Sequence, residues 1–502
     1  MKKLAALLFA GALALMPSAA SAASAAAQEE LMIPSVVITE RSRADYNEET
    51  WDTYCSFRWA VPSLDPVLAA EYPALQEALL AFTEAEDAEK TSRYEEMCYD
   101  SRQSAIEGLP YEAFLESSLS VERMDDQVLC LRQYSSSYTG GAHGYYYCTG
   151  HTFDAQTGEK LALTDVIADE QQMRAVLEEE LLAAYDPEMF FDLHETLTAC
   201  PMEDFSWTVG PAGVTFFFNP YEIAAYAAGM QTVTLSFARY PELFNGRVTA
   251  ASGAFVTCPA EGIPFILDLD GDGEEDNLLI GRGMDENYMF SGYEITMNGQ
   301  TLKGEYDWFE MMPVLLHTAD GKCWLYLDCV SENEYHGISV IGFADGAPYL
   351  AGSVPGGFGR GYDEAAEGTR LYVPADPSCL RVDTRINMLG TWQGRRICSV
   401  GADGLPVPQK EWYTVTTGMP LKTIASLSAQ GVDAESAETT GEAVTVPAGE
   451  ELRLARTDGE TWADLCRPDG SMVRVYVDTS GWPRMINGMD EDSYFEMLPY
   501  AG

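Results

Sequence analysis

Histidine is nearly absent from this chain: five in 502 residues, at 143, 151, 194, 317 and 336. None belongs to a His-Glu-x-x-His sequence, which removes the two-histidine zinc protease arrangement. No Gly-x-Ser-x-Gly elbow and no P-loop occur, so serine-hydrolase and nucleotide-phosphate chemistries lack the motifs they need. No Cys-x-x-Cys pair occurs, so zinc ribbons and thioredoxin-type redox centres lose their main support. Cations are scarce as well. Thirty Lys and Arg face 79 Asp and Glu, a formal charge of −49. Binding to nucleic-acid or lipid phosphates needs clustered cations, so those partners are excluded. After Met16 no apolar run reaches the length of a membrane-spanning helix.

Apolar residues, by contrast, make up 46% of the chain, too many for a disordered acidic tail. The length allows roughly two to four domains. Residues 1–27 read as a secretory signal peptide: Lys2 and Lys3 form the positive start, Leu4 to Met16 the apolar stretch, and Ala20-Ser21-Ala22 a small-x-small cleavage site, with Ala25-Ala26-Ala27 as a second candidate. No Cys adjoins that site, so a lipoprotein anchor is unsupported. The mature chain is expected to be secreted, extracellular and cell-envelope associated, without a transmembrane segment. Its acidity would steer a cationic partner and also keeps an exported protein soluble. Ten of the 11 cysteines have the chance to pair in an oxidising compartment. Cys130 and Cys148 flank the expected hairpin loop 136–144, which leaves a cross-strand disulfide open. Cys323 and Cys329 share one strand face and cannot easily bridge each other. In a source living without oxygen, these thiols would simply be buried.

Residues 35–63 alternate apolar and polar positions and are rich in β-branched and aromatic residues, so they read as strands. Residues 64–108 read as helical, with helical spacing from Pro73 to Phe82 and a second, solvated helix from Glu84 to Glu107. Strands return over 117–160 around a glycine-rich loop. One or two helices over 164–195, short strands over 206–218, a helical turn or two over 219–228 and a strand from Val233 to Phe237 follow. This order predicts an α+β domain over 31–247, with helices on an antiparallel sheet. Beyond the small-residue stretch 249–254, helical periodicity nearly disappears. Short strands recur between turns at Met297-Asn-Gly-Gln300, Thr318-Ala-Asp-Gly321, Ala344-Asp-Gly346 and Ala402-Asp-Gly404. They predict an all-β region over 255–440, propeller-like or sandwich. Residues 441–502 resemble a small Src-homology-3-like β-barrel of the kind appended to bacterial wall proteins.

Two blocks stand out: Tyr138-Thr-Gly-Gly-Ala-His-Gly144 and Phe217-Phe-Asn-Pro-Tyr-Glu-Ile-Ala-Ala-Tyr-Ala-Ala-Gly229, with Thr149-Gly-His-Thr-Phe-Asp154 between them. In this order they resemble the extracytoplasmic domain shared by RsiV-type anti-sigma factors and the N-terminal part of PdaC-type deacetylases, over about residues 35–245. The resemblance implies an α+β domain that recognises something outside the cell and carries no known catalysis of its own. Tyr138, Gly140, Gly141, His143, Tyr221 and Tyr226 are the candidate ligand-binding residues. Glycines permit close approach of a partner, and Tyr221 and Tyr226 either face outward as recognition aromatics or pack inward. His143 invites a catalytic reading, but local packing in a glycine-shaped turn is the simpler one. A metal site of His143, His151 and Asp154 fits no standard ligand spacing. Thr152-Phe-Asp-Ala-Gln156 mimics only the first element of the deacetylase module, and no His-x-x-x-His follows, so that module is absent. The chain departs from the family at Ala225, where proline is expected, and has no anti-sigma segment. The ligand therefore need not be lysozyme.

The sharpest local motif is Asp268-Leu-Asp-Gly-Asp-Gly-Glu-Glu-Asp276. Asp268, Asp270 and Asp272 take alternate positions, Gly273 supplies the turn, Glu274 would offer its carbonyl and Asp276 a further carboxylate. That oxygen-rich spacing suits Ca2+. Leu279 stands where an EF-hand has its bidentate Glu, and strands flank the loop, so a structural brace in a strand–loop–strand setting is expected; an ion-free acidic turn is the plainer alternative. Taken as a whole, the sequence predicts a non-enzymatic envelope protein that binds peptidoglycan, another glycan or a cationic wall-active protein such as lysozyme. A cell-wall carbohydrate hydrolase using carboxylates that no motif singles out is the alternative.

Overall fold

Alternating apolar residues build the first hairpin, β1 (Ser35–Tyr46) and β2 (Thr53–Leu64), in antiparallel register from Val36 opposite Leu64. The computed structural model describes residues 35–501 apart from 126, 252, 285–289, 306–309, 332–334, 364–367, 375 and 417. The expected signal peptide at 1–27 lies outside the described residues. Among those residues, no helix is long and apolar enough to cross a membrane. The fold is mostly β, with few helices.

From β2 the chain passes through α1 (Pro66–Glu71) and α2 (Pro73–Ile106) to β3 (Ala113–Met124). β3 pairs with β2 in parallel, Cys55 opposite Ala113. A parallel pair needs a long crossover, and α2 supplies it. The sequence predicted two helices here, yet α2 is one helix of 34 residues. Proline at its start suits the first turn, and no Gly or Pro between 83 and 106 interrupts it. Leu75, Leu79, Met97 and Cys98 form its buried stripe. Lys90, also buried, is paired with Glu86 at 3.2 Å and Glu89 at 2.5 Å. β4 (Val128–Tyr138) and β5 (Tyr145–Asp154) then form the predicted hairpin.

The segment that follows builds a second layer. α3 (Glu170–Ala184) begins at Asp169, whose side chain accepts the Gln172 N–H. α3 and α4 (Leu193–Ala199) share a core with β6 (Ser206–Val209), β7 (Gly213–Phe218) and β8 (Gln231–Ser236). Met173, Leu177 and Leu181, spaced four apart, supply the α3 face of that core.

The expected break at 249–254 is not a break in the sheet. β9 (Phe255–Thr257) pairs with Met124 of β3 and with β14 (Glu310–His317). The sheet continues through β15 (Cys323–Val330), β16 (His336–Ala344) and β17 (Ala347–Pro355). On the opposite edge β20 (Gly368–Pro374) pairs with β1 and with β19 (Arg360–Asp363). One sheet of 12 strands therefore takes strands from both regions that the sequence reading separated. β10 (Phe265–Leu267), β11 (Asp276–Met284), β12 (Phe290–Met297) and β13 (Gln300–Glu305) form a four-stranded sheet beside it. β18 (Gly357–Phe358) pairs with Val382 and Asp383. The predicted turns form as two-residue hairpin loops at Asn298-Gly299 and Asp345-Gly346, with φ of 50° at both Asn298 and Asp345.

By contact the chain divides into 33–384 with 395–410, and 385–394 with 411–502. These lines differ from the sequence boundaries at 247, 255 and 440. The smaller unit has its own core of Trp392, Leu421, Leu427, Leu452, Leu465, Val475 and Phe495. Its short strands were legible, but the small barrel is corrected: among the described residues no sheet closes. Thr439–Val446 pairs with Leu427–Val432 and is exposed over nearly its whole length, so it offers no apolar face on which a barrel would shut.

All 11 cysteines are free, which corrects the disulfide expectation. Cys130 stands opposite Thr152, and Cys148 opposite Tyr134, four rungs away on the same hairpin. Neither thiol is in reach of the other. Burial pushes the thiols of Cys130, Cys148, Cys258, Cys323 and Cys329 up to about 12, so they behave as small apolar side chains.

Candidate functional site

The β4–β5 hairpin carries the first of the two blocks at its tip. Gly140, at φ +91°, packs against the Tyr111 ring, where a side chain would be both strained and crowded. Tyr138 donates its hydroxyl hydrogen to the Gly141 carbonyl at 3.0 Å and stacks on Phe114. Both contacts shape the turn and hold His143 at its exposed end.

The second block is fastened to the same hairpin by Asn219. Its side-chain amide accepts the Cys148 N–H at 2.7 Å and donates to the Cys148 carbonyl at 3.3 Å. The amide thus pairs with β5 as a neighbouring peptide would. Glu222 locks it from the other side, accepting the Asn219 N–H at 2.8 Å and the amide at 3.1 Å. Burial raises the Glu222 carboxyl above its usual range, and the Asn219 bonds oppose that rise. Ile223 and Ala224 turn into the core, while Tyr221 is half exposed. Tyr221 sits at φ +74°, a costly angle for a side chain with a Cβ.

The two blocks, about seventy residues apart in sequence, meet at one surface. His143 stacks on Tyr226 with ring centres 4.1 Å apart, and the Tyr226 hydroxyl donates to the Gly144 carbonyl at 2.9 Å. The Tyr221 hydroxyl lies 3.3 Å from His143 Nε2. Tyr145, Tyr146 and Tyr134 extend the cluster: Tyr145 meets His143 edge-on, Tyr146 meets Tyr226, and Tyr134 stacks on Tyr146. These three, and the anchoring role of Asn219, were missed in the sequence, although the run Tyr145-Tyr-Tyr147 beside the turn was a usable signal. Ala225 has φ −65° and ψ 153°, the backbone a proline would take, so its departure from the family leaves the loop path intact.

His151 is not part of this surface. Its Nε2 donates to Gln133 at 2.9 Å, its Nδ1 lies 3.4 Å from Lys160, and Phe82 meets it edge-on with ring centres 4.8 Å apart. Burial, then the Lys160 and Lys90 charges, push its pKa down to about 4. Asp154 caps its own turn, accepting the Gln156 and Thr157 N–H groups. No shared site of His143, His151 and Asp154 forms.

In the acidic loop between β10 and β11, Asp268, Asp270 and Asp276 each bring an oxygen within 4.8 Å of the others. Asp272 and Glu274 stand outside this group, because Asp272 turns to accept the Glu274 N–H at 2.8 Å. Asp268 accepts from Gly271 and Gly273, Asp270 from Gly346, and Asp276 from Leu269 and Asn298. Three converging carboxylates are a donor set that fits Ca2+, and the N–H donors around them offset part of their mutual repulsion.

Residues 164–238 match the family described as Protein of unknown function (DUF3298). The chain thus carries a DUF3298 domain, the domain found in PdaC- and RsiV-type proteins. The matched segment runs from α3 to β8 and includes Asn219 to Tyr226. Two solved structures are similar. A member of the DUF3298 family from Bacteroides fragilis is 17% identical, with 42% of this chain and 94% of that one covered and a TM-score of 0.35. A DUF3298 family protein from Pseudomonas aeruginosa is 16% identical, with 43% and 97% covered and a TM-score of 0.30. No curated protein matches the chain.

Proposed function

We propose that this chain is an exported, cell-envelope recognition protein that docks a cationic wall-active protein on the His143–Tyr221–Tyr226 surface. The observation that carries the reading is the exposed aromatic cluster, assembled from two distant blocks and pinned by Asn219. Aromatic faces attract Lys and Arg side chains, and a chain of charge −49 steers such a partner towards itself. A non-Gly residue held at φ +74° supports the same reading, since strain of that kind persists where a side chain must be presented. The RsiV/PdaC-type resemblance over about residues 35–245 belongs to this proposal, as does export after cleavage near residue 27.

Lysozyme is the probe. The full exported chain should bind it with an affinity that falls as salt rises. Tyr221→Gly should weaken binding about tenfold or more while raising stability by about 1 kcal/mol, because glycine relieves the left-handed strain. Unchanged affinity in Tyr221→Gly, with the stability gain present, would remove Tyr221 from the interface. No binding of lysozyme at low salt would sink the docking reading.

Calcium is proposed as a structural brace of the acidic loop. Asp268, Asp270 and Asp276 would hold it, and the ion would supply charge balance rather than chemistry. Calcium in the millimolar range should raise the melting temperature by linkage, and Asp270→Ala should abolish the rise. Superimposable melting curves in calcium and in chelator would rule the brace out.

A further inference from the structure

A second concave feature lies on the larger unit, beside the aromatic surface. It is a groove of about 720 Å3, within the range of about 300–1,000 Å3 typical of ligand sites. β3 and β4 contribute Ser118, Ser120, Arg132 and Tyr134 to its wall. Residues opposite each other on paired antiparallel strands share a face. The register sets Ser120 opposite Arg132 and Ser118 opposite Tyr134, so these four side chains point the same way. Tyr146 stacks beside Tyr134, ring centres 6.2 Å apart, and Met230, Ile263 and Met312 add apolar surface.

Arg132 is the unusual member of this set. Only 8% of it is exposed, and its Nε donates to Glu122 at 2.6 Å. Its two terminal nitrogens donate to no other protein group among the described residues, yet neither is sealed from solvent. The Ser118 and Ser120 hydroxyls are likewise without a protein partner there. A buried cation is costly unless its donors are met. Glu122 meets one edge of the guanidinium, and the other edge opens into the groove. The remaining arginines of the wall are engaged, Arg360 with Glu310 at 2.6 Å and Arg282 with Glu261 at 3.1 Å. Asp328 and His336 face each other at 3.6 Å and take no part. In a chain where 79 carboxylates outnumber 30 cations, an arginine edge that no carboxylate closes is an exception.

We infer that this groove binds the free C-terminal carboxylate of a short apolar peptide, held by the terminal nitrogens of Arg132 and the Ser120 hydroxyl. The open edge of a guanidinium carries parallel N–H donors and no acceptor, which matches the two oxygens of a carboxylate. Ser120, opposite Arg132 on the same face, donates its hydroxyl hydrogen to that carboxylate. An ammonium would meet repulsion from Arg132. A phosphate would bring a second negative charge to a wall whose other cations are already paired. Tyr134, Tyr146, Met230, Ile263 and Met312 offer apolar cover for peptide side chains. They do not offer the succession of donors and acceptors that the hydroxyls of an acidic glycan would need. His143, Tyr221 and Tyr226 are not part of this site, so the inference does not need the docking reading to hold.

The test is calorimetry of the full exported chain with the tripeptide acetyl-Leu-Ala-Ala, compared with its C-terminal amide, tetragalacturonate and inorganic phosphate. The free acid should bind at millimolar concentration or better, and the amide about tenfold more weakly or less still. Tetragalacturonate and phosphate should both bind more weakly than the acid. Ser120→Leu, which fills the space in front of Arg132, should weaken the acid about tenfold or more. Arg132→Lys keeps a cation for Glu122 but lacks the fork, and should bring the affinity of the acid down to that of the amide. Where Arg132→Lys fails to fold, Ser120→Leu carries the test, because Ser120 is half-buried and its hydroxyl anchors no other group. No binding of the acid, equal binding of acid and amide, preference for tetragalacturonate or phosphate, or unchanged affinity in the folded variants would overturn the inference.

Discussion

The β4–β5 hairpin carries a histidine at each end, and the two have opposite fates. His143 stands at the tip, exposed among tyrosines; His151, eight residues on, is pressed against Phe82 of α2 with both ring nitrogens engaged. The residue type is the same and the strand is continuous, so the difference comes from what covers each end. α2 lies over the root and desolvates it. At the tip the cover is a loop from a distant part of the chain, which itself presents aromatic rings outward. A histidine in a hairpin is thus read by its cover, and that cover is tertiary.

Cutting the tether between tip and cover should have the largest effect. Asn219→Ala removes two bonds to Cys148 and one to Glu222, leaving the buried Cys148 N–H and the Glu222 carboxylate short of partners. Losses of about 1–3 kcal/mol per buried group imply destabilisation of about 3 kcal/mol in urea unfolding, together with loss of docking. A change under about 0.5 kcal/mol would mean that the loop is held by Ile223 and Ala224 alone.

What could be read in advance, and what could not, follows the same line. Local chemistry was legible: the hairpin over 128–154, the Asn-Gly turn at 298 and the Asp-Gly turn at 345 all follow from short-range patterns. Long-range pairing was not. Nothing in Phe255-Val-Thr257 announces that it will bridge Met124 to His317 and merge two expected domains into one sheet. β1 takes β20 as its outer partner from more than three hundred residues away, so a fragment ending near 247 would expose an edge the whole chain covers. Cys130 and Cys148 misled because symmetric spacing about a turn looks like pairing, whereas the register sets them four rungs apart.

The root histidine offers the next effect in size. The native pKa of His151 lies at about 4, below the 6.5 of an unperturbed imidazole. Above pH 6.5 both native and unfolded forms are neutral there, and stability is intact. As pH falls from 6.5 towards 4, the unfolded chain takes up a proton that the native chain refuses, and stability is lost by up to about 3 kcal/mol. His151→Gln should flatten the fall in urea midpoint across that window relative to the parent. Equal slopes in the two proteins would place the acid sensitivity in other groups.

The tip histidine should give the smallest change in stability and the clearest change in binding. His143 stacks on Tyr226 and accepts or donates at Nε2 towards the Tyr221 hydroxyl, but it is exposed and anchors no buried group. His143→Ala should therefore alter unfolding free energy by no more than about 0.5 kcal/mol. Lysozyme affinity should fall about three- to tenfold, since the ring sets the spacing of Tyr221 and Tyr226 against a partner. Paired with His151→Gln, the variant separates the two ends of the hairpin: one should move stability with pH and leave docking alone, the other should move docking and leave the pH profile alone. A His143→Ala protein that binds as the parent does but unfolds more easily would reverse the assignment and make the tip a structural corner.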